Sequence, residues 1–393
     1  MNILFLLKSF DVGGVEVVTS VLANKFAKEG HHVVLWAFFR HEPTLESRLR
    51  PDVRIVYGNG FKVSASNVAS LLATLDEFDI SVIINQWALP PQPAQLLKRV
   101  LERHPTKVIS VYHSDPMTNG RLTSIDTVLM QSKNQAIRLA LRAKRKLYKA
   151  ITSYFMRRCY EMSDVFVVLS ESYKQHFVDF TGIENPNHLI TIANPITIER
   201  ADAVFDDTPK ENRILYVGRL ENENKKPERV LRIWKNIQDK FPDWHVDMVG
   251  DGTDMERLQQ QAKEWGLNRV HFFGYQPPAS FYKRASVLLL TSEFEGFPLV
   301  LTEAMSFGVV PLVYGSFSAA KDVIEHGYSG LISEPSEVGF SEVVMSEHLS
   351  KLLNDKEQLS TMSRNARIKS RQFSIDSISA LWSETLRNVN RGG

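Results

Sequence analysis

Short apolar runs rich in β-branched residues alternate with amphipathic segments of helical length along almost the whole chain. This alternation is typical of parallel sheets whose strands are joined by helices, so it predicts an α/β fold. In the first half, strands are expected at Asn2 to Leu7, His32 to Phe39, Ile80 to Ile84, Val108 to Val111, Val165 to Leu169 and Leu189 to Ala193. The clearest helix, Val15 to Glu29, precedes Gly30, which can adopt the left-handed conformation that closes a helix.

The alternation stops near residue 200 and then begins again. Residues 201–213 are polar, contain the sequence Asp-Asp-Thr-Pro and show no periodicity, which is typical of a linker. Further strands are expected at Ile214 to Val217, Trp244 to Val249, Val270 to Phe273 and Val287 to Leu290. We therefore predict two doubly wound domains, 1–200 and 214–373, followed by a helical segment at 374–393.

The composition excludes several classes of protein. A single cysteine, Cys159, can form neither an internal disulfide nor a multi-thiolate metal site, and its apolar helical surroundings favour a core position. The apolar run Ile3 to Leu7 is too short for the core of a signal peptide, and no run approaches the roughly 18 residues of a membrane-spanning helix. We expect a cytoplasmic protein.

A pair of glycines follows the first expected strand, in Asp11-Val12-Gly13-Gly14. Glycines before a helix let a diphosphate approach backbone N–H groups and the positive end of the helix. A tight turn from strand to helix would use the same two glycines, so both explanations stay open. The dinucleotide fingerprint Gly-x-Gly-x-x-Gly is absent here, which argues against an NAD enzyme.

Basic residues follow the first strand of the second domain. Gly218-Arg219-Leu220 comes directly after that strand, and Lys225-Lys226 follows in the same loop. Arg219 and one of the lysines could hold a diphosphate there and stabilise it as a leaving group. A solvated pair of lysines on a loop is the alternative.

The most specific segment runs from Thr291 to Met305 and contains two carboxylates, Glu295 and Glu303, separated by seven residues. If Pro298 is the first residue of a helix, Glu295 lies in the preceding turn and Glu303 lies inside the helix. A carboxylate that accepts hydrogen bonds from two neighbouring hydroxyls suits a ribose diol, and the turn can offer N–H groups to a sugar. Isolated glutamates would instead be solvated surface charges.

Taken together, these segments resemble family 4 of the glycosyltransferases, the retaining, metal-independent nucleotide-sugar transferases with the GT-B fold. The resemblance is collinear and rests on Gly13-Gly14, Gly30-His31, His113, Val168-Leu169-Ser170, Asn194-Pro195, Gly218-Arg219-Leu220 with the following lysine, Gly250-Asp251-Gly252, Phe273-Gly274-Tyr275 and Glu295 to Glu303. It implies an α/β fold of two doubly wound, Rossmann-like domains facing a central cleft. The first would bind the acceptor and the second the donor, and the C-terminal helix would pack back on the first.

The resemblance also implies roles for individual residues. Arg219 and Lys225 would bind the donor diphosphate and Glu295 the transferred sugar, and these three would be catalytic. Glu303 would bind the ribose, and His113 would reach a sugar hydroxyl. The expected donor-binding set is Gly13, Gly14, His113, Asn194, Gly218, Arg219, Lys225, Lys226, Gly250, Tyr275, Glu295, Gly296, Phe297, Leu299 and Glu303.

Two positions depart from the family pattern. The lysine commonly falls five residues after the arginine, where this chain has Asn224, so the acting residue is either Lys225 or Lys226. Pro298 replaces a glycine that is often found there, which removes one backbone N–H from the donor-sugar site. Tyr275 is expected either to border the base or to pack in the core.

No metal or other cofactor is expected, because the chain has no Asp-x-Asp sequence and no cluster of histidine and cysteine. The charge on the departing nucleotide must then be neutralised by Arg219, Lys225 and helix N-termini. The family implies retention of configuration, with the leaving phosphate taking the acceptor's proton.

A basic segment from Lys133 to Arg158 holds nine basic residues and no acidic one, with apolar residues between them. One hypothesis is an amphipathic helix that binds an anionic membrane surface or an anionic acceptor. The other is a solvated helix whose apolar side packs on the sheet. The expected patch is Arg142, Lys144, Arg145, Lys146 and Lys149.

The sequence thus predicts transfer of a hexose-type sugar from a nucleotide diphosphate sugar, UDP in preference to GDP, to a glycan or lipid-linked acceptor. Bacterial polysaccharide or lipopolysaccharide synthesis is the setting that the family implies. The alternatives are a nucleotide-sugar 2-epimerase of the same fold and a non-catalytic partner subunit that binds a nucleotide sugar. No nucleic-acid partner is expected, because no recognition motif accompanies the basic segment.

Overall fold

The computed structural model of the protein describes residues 1–11, 13–41, 45–89, 91–118, 120–132, 134–198, 210–337 and 339–391. The chain forms two compact units, which are Met1–Pro195 with Ile375–Gly393, and Ile196–Ser374. Most of the predicted linker, as well as Val12 and Lys133 of the predicted motifs, lies outside the described residues.

A parallel sheet of seven strands forms the centre of the first unit, in the order β3-β2-β1-β4-β5-β6-β7. The strands are β1 (Asn2–Leu7), β2 (His32–Ala37), β3 (Arg54–Tyr57), β4 (Val82–Asn85), β5 (Lys107–Tyr112), β6 (Val165–Val168) and β7 (Leu189–Thr191). Every residue from Ile3 to Leu7 is buried. Because neighbouring side chains on a strand point to opposite faces, both faces of the sheet are covered at β1.

The helices of the first unit lie between its strands. They are α1 (Gly14–Lys28), α2 (Ala65–Glu77), α3 (Pro91–Leu101), α4 (Gly120–Gln131), α5 (Gln135–Glu161) and α6 (Ser172–Thr181). Gly30, which follows α1, has φ +88°, the left-handed conformation that the sequence predicts there.

The second unit repeats this architecture with six parallel strands in the order β10-β9-β8-β11-β12-β13. The strands are β8 (Arg213–Val217), β9 (His245–Val249), β10 (Val270–Phe272), β11 (Val287–Leu290), β12 (Val310–Tyr314) and β13 (Leu331–Ser333). The helices are α7 (Pro227–Ile237), α8 (Met255–Glu264), α9 (Ala279–Arg284), α10 (Leu299–Ser306), α11 (Ala319–Val323), α12 (Glu342–Asn354) and α13 (Lys356–Ser370).

Both sheets reverse their strand order at one place. In the first unit β1 lies between β2 and β4, and in the second unit β8 lies between β9 and β11. The loops after β1 and β4, and those after β8 and β11, therefore leave the sheet in opposite directions and open a crevice at the carboxyl edge. Open α/β sheets bind their ligands at such a switch point.

The last helix, α14 (Ile375–Arg391), belongs to the first unit and packs against α1. Trp382 is 3% exposed, and its ring meets that of Phe26 edge to face at 6.4 Å between centroids. The Nζ of Lys25 lies 2.7 Å from the carboxylate of Asp376. The expectation that the C-terminal helix packs back on the first domain is confirmed.

The predicted α/β fold is confirmed, and three strands were not anticipated. β3 is a half-exposed edge strand of four residues, β13 has only three, and β12 contains Pro311, a residue that usually argues against a strand inside a sheet. The strand predicted to run to Phe39 ends at Ala37, and Arg213, assigned to the linker, begins β8.

We expect Trp382→Ala to lower the free energy of unfolding by about 3 to 5 kcal/mol, because it removes a large buried ring from the contact between α14 and α1. The matched control is Leu381→Ala on the same helix, since Leu381 is 44% exposed. Urea denaturation of both variants measures the difference. Equal losses would show that α14 does not stabilise the first unit through this face.

Candidate active site

Two loops meet at the switch point of the second unit. One follows β8 and carries residues 218–226, and the other follows β11 and carries residues 291–298. Their strands are neighbours, with Val287 paired to Ile214 and Leu288 to Leu215. The predicted catalytic residues Arg219, Lys225 and Glu295 all lie on these two loops.

An ion pair joins the loops. The Nζ of Lys225 lies 2.7 and 2.9 Å from the two carboxylate oxygens of Glu295. Glu295 is buried, and the Lys225 side chain is about one-fifth exposed. An ion pair with this little contact to water is costly to separate, because water cannot fully replace the partner of either charge.

Asn224 joins the same two loops by accepting hydrogen bonds from backbone N–H groups of the second loop. Its carbonyl oxygen accepts a hydrogen bond from the N–H of Glu293 at 2.9 Å, and its side-chain Oδ1 accepts one from the N–H of Phe294 at 3.1 Å. The hydroxyl of Thr291 donates to the carbonyl of Lys226 at 3.1 Å. Asn224 stands where the family commonly has its lysine, and its bonds fix Lys225 opposite Glu295.

Arg229, in the first turn of α7, holds the loop after β11 in place. Its Nη1 donates to the carbonyl of Thr291 at 2.9 Å, and its Nη2 pairs with the carboxylate of Glu293. The guanidinium lies 4.1 Å from the ring centroid of Phe340 and 5.0 Å from that of Tyr314. Charge pairing and cation–π contact together hold the side chain in one position.

The glycines of this site serve close backbone packing. A Cβ on Gly250, which has φ +140°, would lie 1.9 Å from the carbonyl oxygen of Gly218, and one on Gly252 would lie 2.6 Å from that of Leu220. The N–H of Leu220 also donates to the carbonyl of Asp251 at 2.8 Å. These contacts explain Gly250 without a ligand, since any side chain there would displace the loop that carries Arg219.

Of three other predicted residues, Arg219 and Tyr275 are exposed and Lys226 is half-buried. Arg219 is exposed, with its Nη1 3.0 Å from the carboxylate of Glu221. Lys226, the residue before α7, has φ +51°, and its carbonyl accepts the hydrogen bond from Thr291. Tyr275 is 68% exposed, so the core alternative for this residue is wrong.

Glu303 lies in the second turn of α10 and is buried. Its Oε1 accepts from the hydroxyl of Thr197 at 2.5 Å, and its Oε2 accepts from that of Tyr282 at 3.2 Å. Burial raises the pKa of Glu303, and the two hydroxyl donors oppose part of that increase. Both oxygens of the carboxylate thus already accept from hydroxyl groups.

The turn between Glu295 and Glu303 differs from the prediction by one residue. α10 begins at Leu299, and Pro298 is the residue before the helix and not its first residue. Phe297 is buried and packs edge to face on Phe373 at 5.6 Å. Phe297 could therefore bind a ligand only through its backbone. Gly296 and the first N–H groups of α10 lie in the same turn.

Gly13, Gly14, His113 and Asn194 belong to the first unit. α1 begins at Gly14, and Gly13 is the residue before it. The Nε2 of His113 lies 2.6 Å from Oε1 of Gln86, and burial lowers the pKa of His113 to about 3. Asn194 is buried.

Glu16 lies over the glycine turn at the start of α1. A Cβ on Gly13 would be 2.3 Å from Oε2 of Glu16, so the carboxyl group occupies the space above that glycine. The pKa of Glu16 is raised to about 7, chiefly by burial and also by the nearby charge of Asp11, whereas its own N–H and Lys8 act in the opposite direction. An ionised Glu16 would repel a diphosphate from this turn, whereas the protonated form would not.

The basic segment forms most of α5. Leu139, Ala143, Leu147, Ile151 and Tyr154 follow one another at helical spacing and are all exposed, Leu139 at 70%. The hypothesis that this apolar side packs on the sheet is therefore wrong for these residues.

Of the five predicted patch residues, Arg142, Lys144 and Lys146 are exposed, and Lys149 lies 5.7 Å from the ring centroid of Phe180. Arg145 does not belong to the patch as a free cation. It pairs with both carboxylate oxygens of Asp126 on α4, at 2.6 and 3.0 Å.

Sequence reasoning missed Asn224, Thr197, Tyr282, Gln86 and Glu16. Asn224 carried a signal, since it replaces the expected lysine. Thr197 and Tyr282 carried none, because they lie 106 and 21 residues from the glutamate that they contact.

Within the described ranges, no group of three or more His, Cys, Asp or Glu residues is arranged to hold a metal ion. No helix in the described part of the chain has the length and apolar character needed to cross a bilayer.

Two family models match consecutive parts of the chain. The model for Glycosyltransferase Family 4 matches residues 12–200, and the model for Glycosyl transferases group 1 matches residues 198–369. With the two doubly wound units and the loops at the second switch point, these matches show that the chain belongs to the family 4-type glycosyltransferases of the GT-B fold.

Several relatives are bacterial glycosyltransferases of surface polysaccharides. A lipopolysaccharide 1,6-galactosyltransferase of Salmonella typhimurium is 30% identical over 46% of this chain and 51% of its own length. An uncharacterized glycosyltransferase of Haemophilus influenzae is 32% identical over 50% of this chain and 54% of its own length. The match thus spans about half the length of these two curated relatives.

A third relative matches over 99% of both chains at 25% identity. It is an α-1,4-N-acetyl-D-galactosaminyltransferase of Campylobacter jejuni, whose name includes a glycan linked to PP-undecaprenol.

Solved structures share the fold. HepE of Anabaena, crystallised with UDP, has a TM-score of 0.75 at 17% identity over 99% of this chain and 100% of its own. WaaB, a lipopolysaccharide outer core galactosyltransferase, has a TM-score of 0.68 at 19% identity over 99% of both chains.

We expect Glu16→Gln to stabilise the protein more at pH 8 than at pH 5. The pKa of Glu16 is raised in the folded state, so ionisation penalises folding as the pH rises from 4.5 towards 7, and glutamine removes that penalty. The substitution should raise the free energy of unfolding by about 2 to 3 kcal/mol more at pH 8 than at pH 5.

Urea denaturation at both pH values measures this gain. The control is Glu77→Gln at the exposed end of α2, which should show no such dependence. An equal effect of Glu16→Gln at pH 5 and pH 8 would contradict the assignment of a buried, protonated carboxyl group.

Proposed function

We propose that the protein is a retaining, metal-independent hexosyltransferase. It moves a sugar from a nucleotide diphosphate donor, UDP in preference to GDP, to a glycan or lipid-linked acceptor in bacterial polysaccharide or lipopolysaccharide synthesis. The observation that carries this proposal is the ion pair between Lys225 and Glu295 at the switch point of the second unit. It places a cation suited to a diphosphate beside a carboxylate suited to sugar hydroxyls.

The donor diphosphate takes Lys225 as its cation, and Arg219 adds a second one. Lys225 then leaves Glu295, whose carboxylate turns to the hydroxyls of the transferred sugar. The first N–H groups of α10, together with Gly296, supply further hydrogen-bond donors to the donor group. Negative charge that develops on the leaving nucleotide is stabilised by these fixed cations and dipoles.

Glu303 binds the ribose of the donor. Its two oxygens accept from the hydroxyls of Thr197 and Tyr282, which have the same hydrogen-bonding chemistry as the two hydroxyls of a ribose. A ribose diol can therefore replace these donors without leaving the buried carboxylate unpaired.

Transfer proceeds on one face of the sugar. The bond between the anomeric carbon and the phosphate oxygen breaks, and the acceptor oxygen forms its bond to the same carbon on the same face. The acceptor's proton passes to the leaving phosphate oxygen, so no protein base is needed. Retention of configuration follows from this order of events.

The relatives support the choice of donor and acceptor. HepE was crystallised with UDP and with UDP-glucose, and two relatives are named galactosyltransferases of lipopolysaccharide. The name of the Campylobacter jejuni relative contains a PP-undecaprenol-linked glycan. A UDP-sugar and a lipid-linked acceptor are the corresponding substrates proposed here.

We expect Lys225→Ala to weaken UDP binding at least about tenfold, which is about 1.4 kcal/mol, because the diphosphate loses one of its two proposed cations. Lys226→Ala is the matched control and should change the dissociation constant less than about threefold. Titration calorimetry with UDP, GDP and ADP measures all three proteins.

A larger loss in Lys226→Ala would assign the diphosphate to the other lysine. Binding of GDP or ADP instead of UDP by the wild type would contradict the proposed base. Nucleotide release from the bound donor only when acceptor is present would distinguish a transferase from an epimerase and from a non-catalytic subunit.

The acceptor is proposed to reach the first unit at the membrane. The exposed stripe Leu139, Ala143, Leu147, Ile151 and Tyr154 on α5 is flanked by basic residues, and α5 has no acidic residue before Glu161. Apolar residues between cations bind anionic lipid surfaces through burial and charge together. The protein then acts on the cytoplasmic face of the membrane as a peripheral enzyme.

We expect the triple variant Arg142→Glu, Lys144→Glu, Lys146→Glu to bind vesicles of phosphatidylglycerol and phosphatidylcholine at least about tenfold more weakly than the wild type at low salt. The control carries the same charge change at exposed lysines of the second unit, as Lys240→Glu, Lys351→Glu, Lys356→Glu. Cosedimentation measures both. Equal losses, or no binding by the wild type, would rule out α5 as the membrane surface.

A further inference from the structure

Two histidine side chains meet at the edge of the second sheet. His245 is the first residue of β9, and His271 is the middle residue of β10, the edge strand beside it. The Nδ1 of His245 lies 3.1 Å from the Nε2 of His271, and the two rings stack with their centroids 5.4 Å apart. His271 is exposed and His245 is half-buried, so an ion from solution can reach the two nitrogens.

The register of the two strands places both rings on one face of the sheet. β9 and β10 are parallel, and His271 lies opposite Asp247. Because side chains two residues apart on a strand point to the same face, His245, Asp247 and His271 share a face. The N–H of Val246 donates to the carbonyl of Arg269 at 2.8 Å, which helps to hold the strands in this register. The backbone therefore brings the two imidazoles together.

The separation of the two nitrogens suits a metal ion. Imidazole nitrogens bind Zn²⁺ at about 2.0 to 2.1 Å. Two nitrogens 3.1 Å apart would then subtend an angle of about 98° at the ion, between the octahedral and the tetrahedral angle. Each ring has to turn about χ2 to point its lone pair at the ion, and this torsion is soft for histidine.

The charge state of His245 suits the same role. Burial lowers the pKa of His245, and the charges of Arg213, His271 and Arg269 lower it further, whereas Asp247 acts in the opposite direction. His245 is therefore neutral at physiological pH. A histidine must be neutral to bind a metal ion, so no proton has to be displaced from this residue first.

The carboxylate on this face is already paired. Oδ1 of Asp247 accepts from Nη1 of Arg213 at 2.8 Å, and Oδ2 accepts from Nη2 of Arg284 at 3.1 Å. Asp247 is also only 1% exposed. The two histidines thus offer nitrogen ligands, which favour Zn²⁺ and other transition-metal ions over Mg²⁺ and Ca²⁺.

The histidine pair lies away from the loops that carry the proposed donor site. His245 begins β9, whereas those loops lie at the carboxyl ends of the strands. Val249, at the carboxyl end of β9, is four residues further on, which is about 13 Å at the usual rise of a strand. An ion held by the two histidines would therefore take no part in sugar transfer.

We propose that His245 and His271 form a binding site for a transition-metal ion, Zn²⁺, at the edge of the second sheet. The Nδ1 of His245 and the Nε2 of His271 bind the ion, and water molecules complete its coordination. Each ring then carries its proton on its other nitrogen. The ion links the edge strand β10 to β9 and stabilises the folded second unit.

Titration calorimetry of the metal-free, full-length protein with zinc chloride at neutral pH tests the site. The wild type should bind Zn²⁺, and His245→Gln and His271→Gln should each bind it at least about tenfold more weakly, because each loses one of the two protein ligands. The matched control is His104→Gln in the first unit, where His104 lies beside Asp76 and Thr106, and it should bind like the wild type.

Magnesium chloride should not compete with Zn²⁺ for the site. No binding of Zn²⁺ by the wild type would show that the imidazoles only share a hydrogen bond, and would overturn the proposal. Equal affinity of the wild type, His245→Gln and His271→Gln would place the ion elsewhere and would also overturn it.

NMR of the histidine side-chain nitrogens gives a second readout, which uses the wild type alone. Zn²⁺ should shift the Nδ1 signal of His245 and the Nε2 signal of His271, and the ring protons should then lie on Nε2 of His245 and Nδ1 of His271. Zn²⁺ should also raise the midpoint of thermal unfolding of the wild type, but not that of His271→Gln. Unchanged signals of both histidines on addition of Zn²⁺ would contradict the assignment.

Discussion

The ion pair between Lys225 and Glu295 joins the two loops that carry the proposed chemistry of the second unit. Glu295 is buried and Lys225 is about one-fifth exposed, so separating the two charges costs free energy. Asn224 and Arg229 hold the loops in the register that makes the pair possible. A diphosphate can replace the carboxylate as the partner of Lys225, and sugar hydroxyls can then bond to Glu295. In the proposed function, binding of the donor and release of the Glu295 carboxylate for the sugar are therefore one event.

In both units, polar side chains lie near the switch point of the sheet. The order of each sheet reverses near its centre, and the predicted site residues lie in loops at the carboxyl ends of strands at or next to the reversal. In the second unit these groups are charged, which suits a diphosphate. In the first unit the hydrogen-bonded pair of Gln86 and His113 is uncharged.

The sequence was sufficient for the fold class and for placing Lys225 and Glu295 in the loops after two neighbouring strands, because strand and helix periodicity are local properties. The roles of Lys225 and Glu295 in binding the donor stay predictions. It was insufficient where a contact joins distant segments. Thr197 and Glu303 are 106 residues apart in the sequence, and no local pattern predicts the hydrogen bond between them. Arg145 lies within a basic run in the sequence, but it pairs with Asp126 and is therefore not a free cation of the patch. Gly250 resembled a ligand-binding glycine, whereas the approach of the Gly218 carbonyl already explains it.

The most direct test of this account is the affinity of Glu295→Gln for UDP without a sugar, measured by titration calorimetry at low salt. In the wild type the diphosphate must take Lys225 from a carboxylate, and the substitution removes that competing charge. The account predicts that Glu295→Gln binds UDP at least about threefold more tightly than the wild type, although it should lose sugar transfer. Unchanged or weaker binding of UDP would show that Lys225 does not exchange Glu295 for the diphosphate.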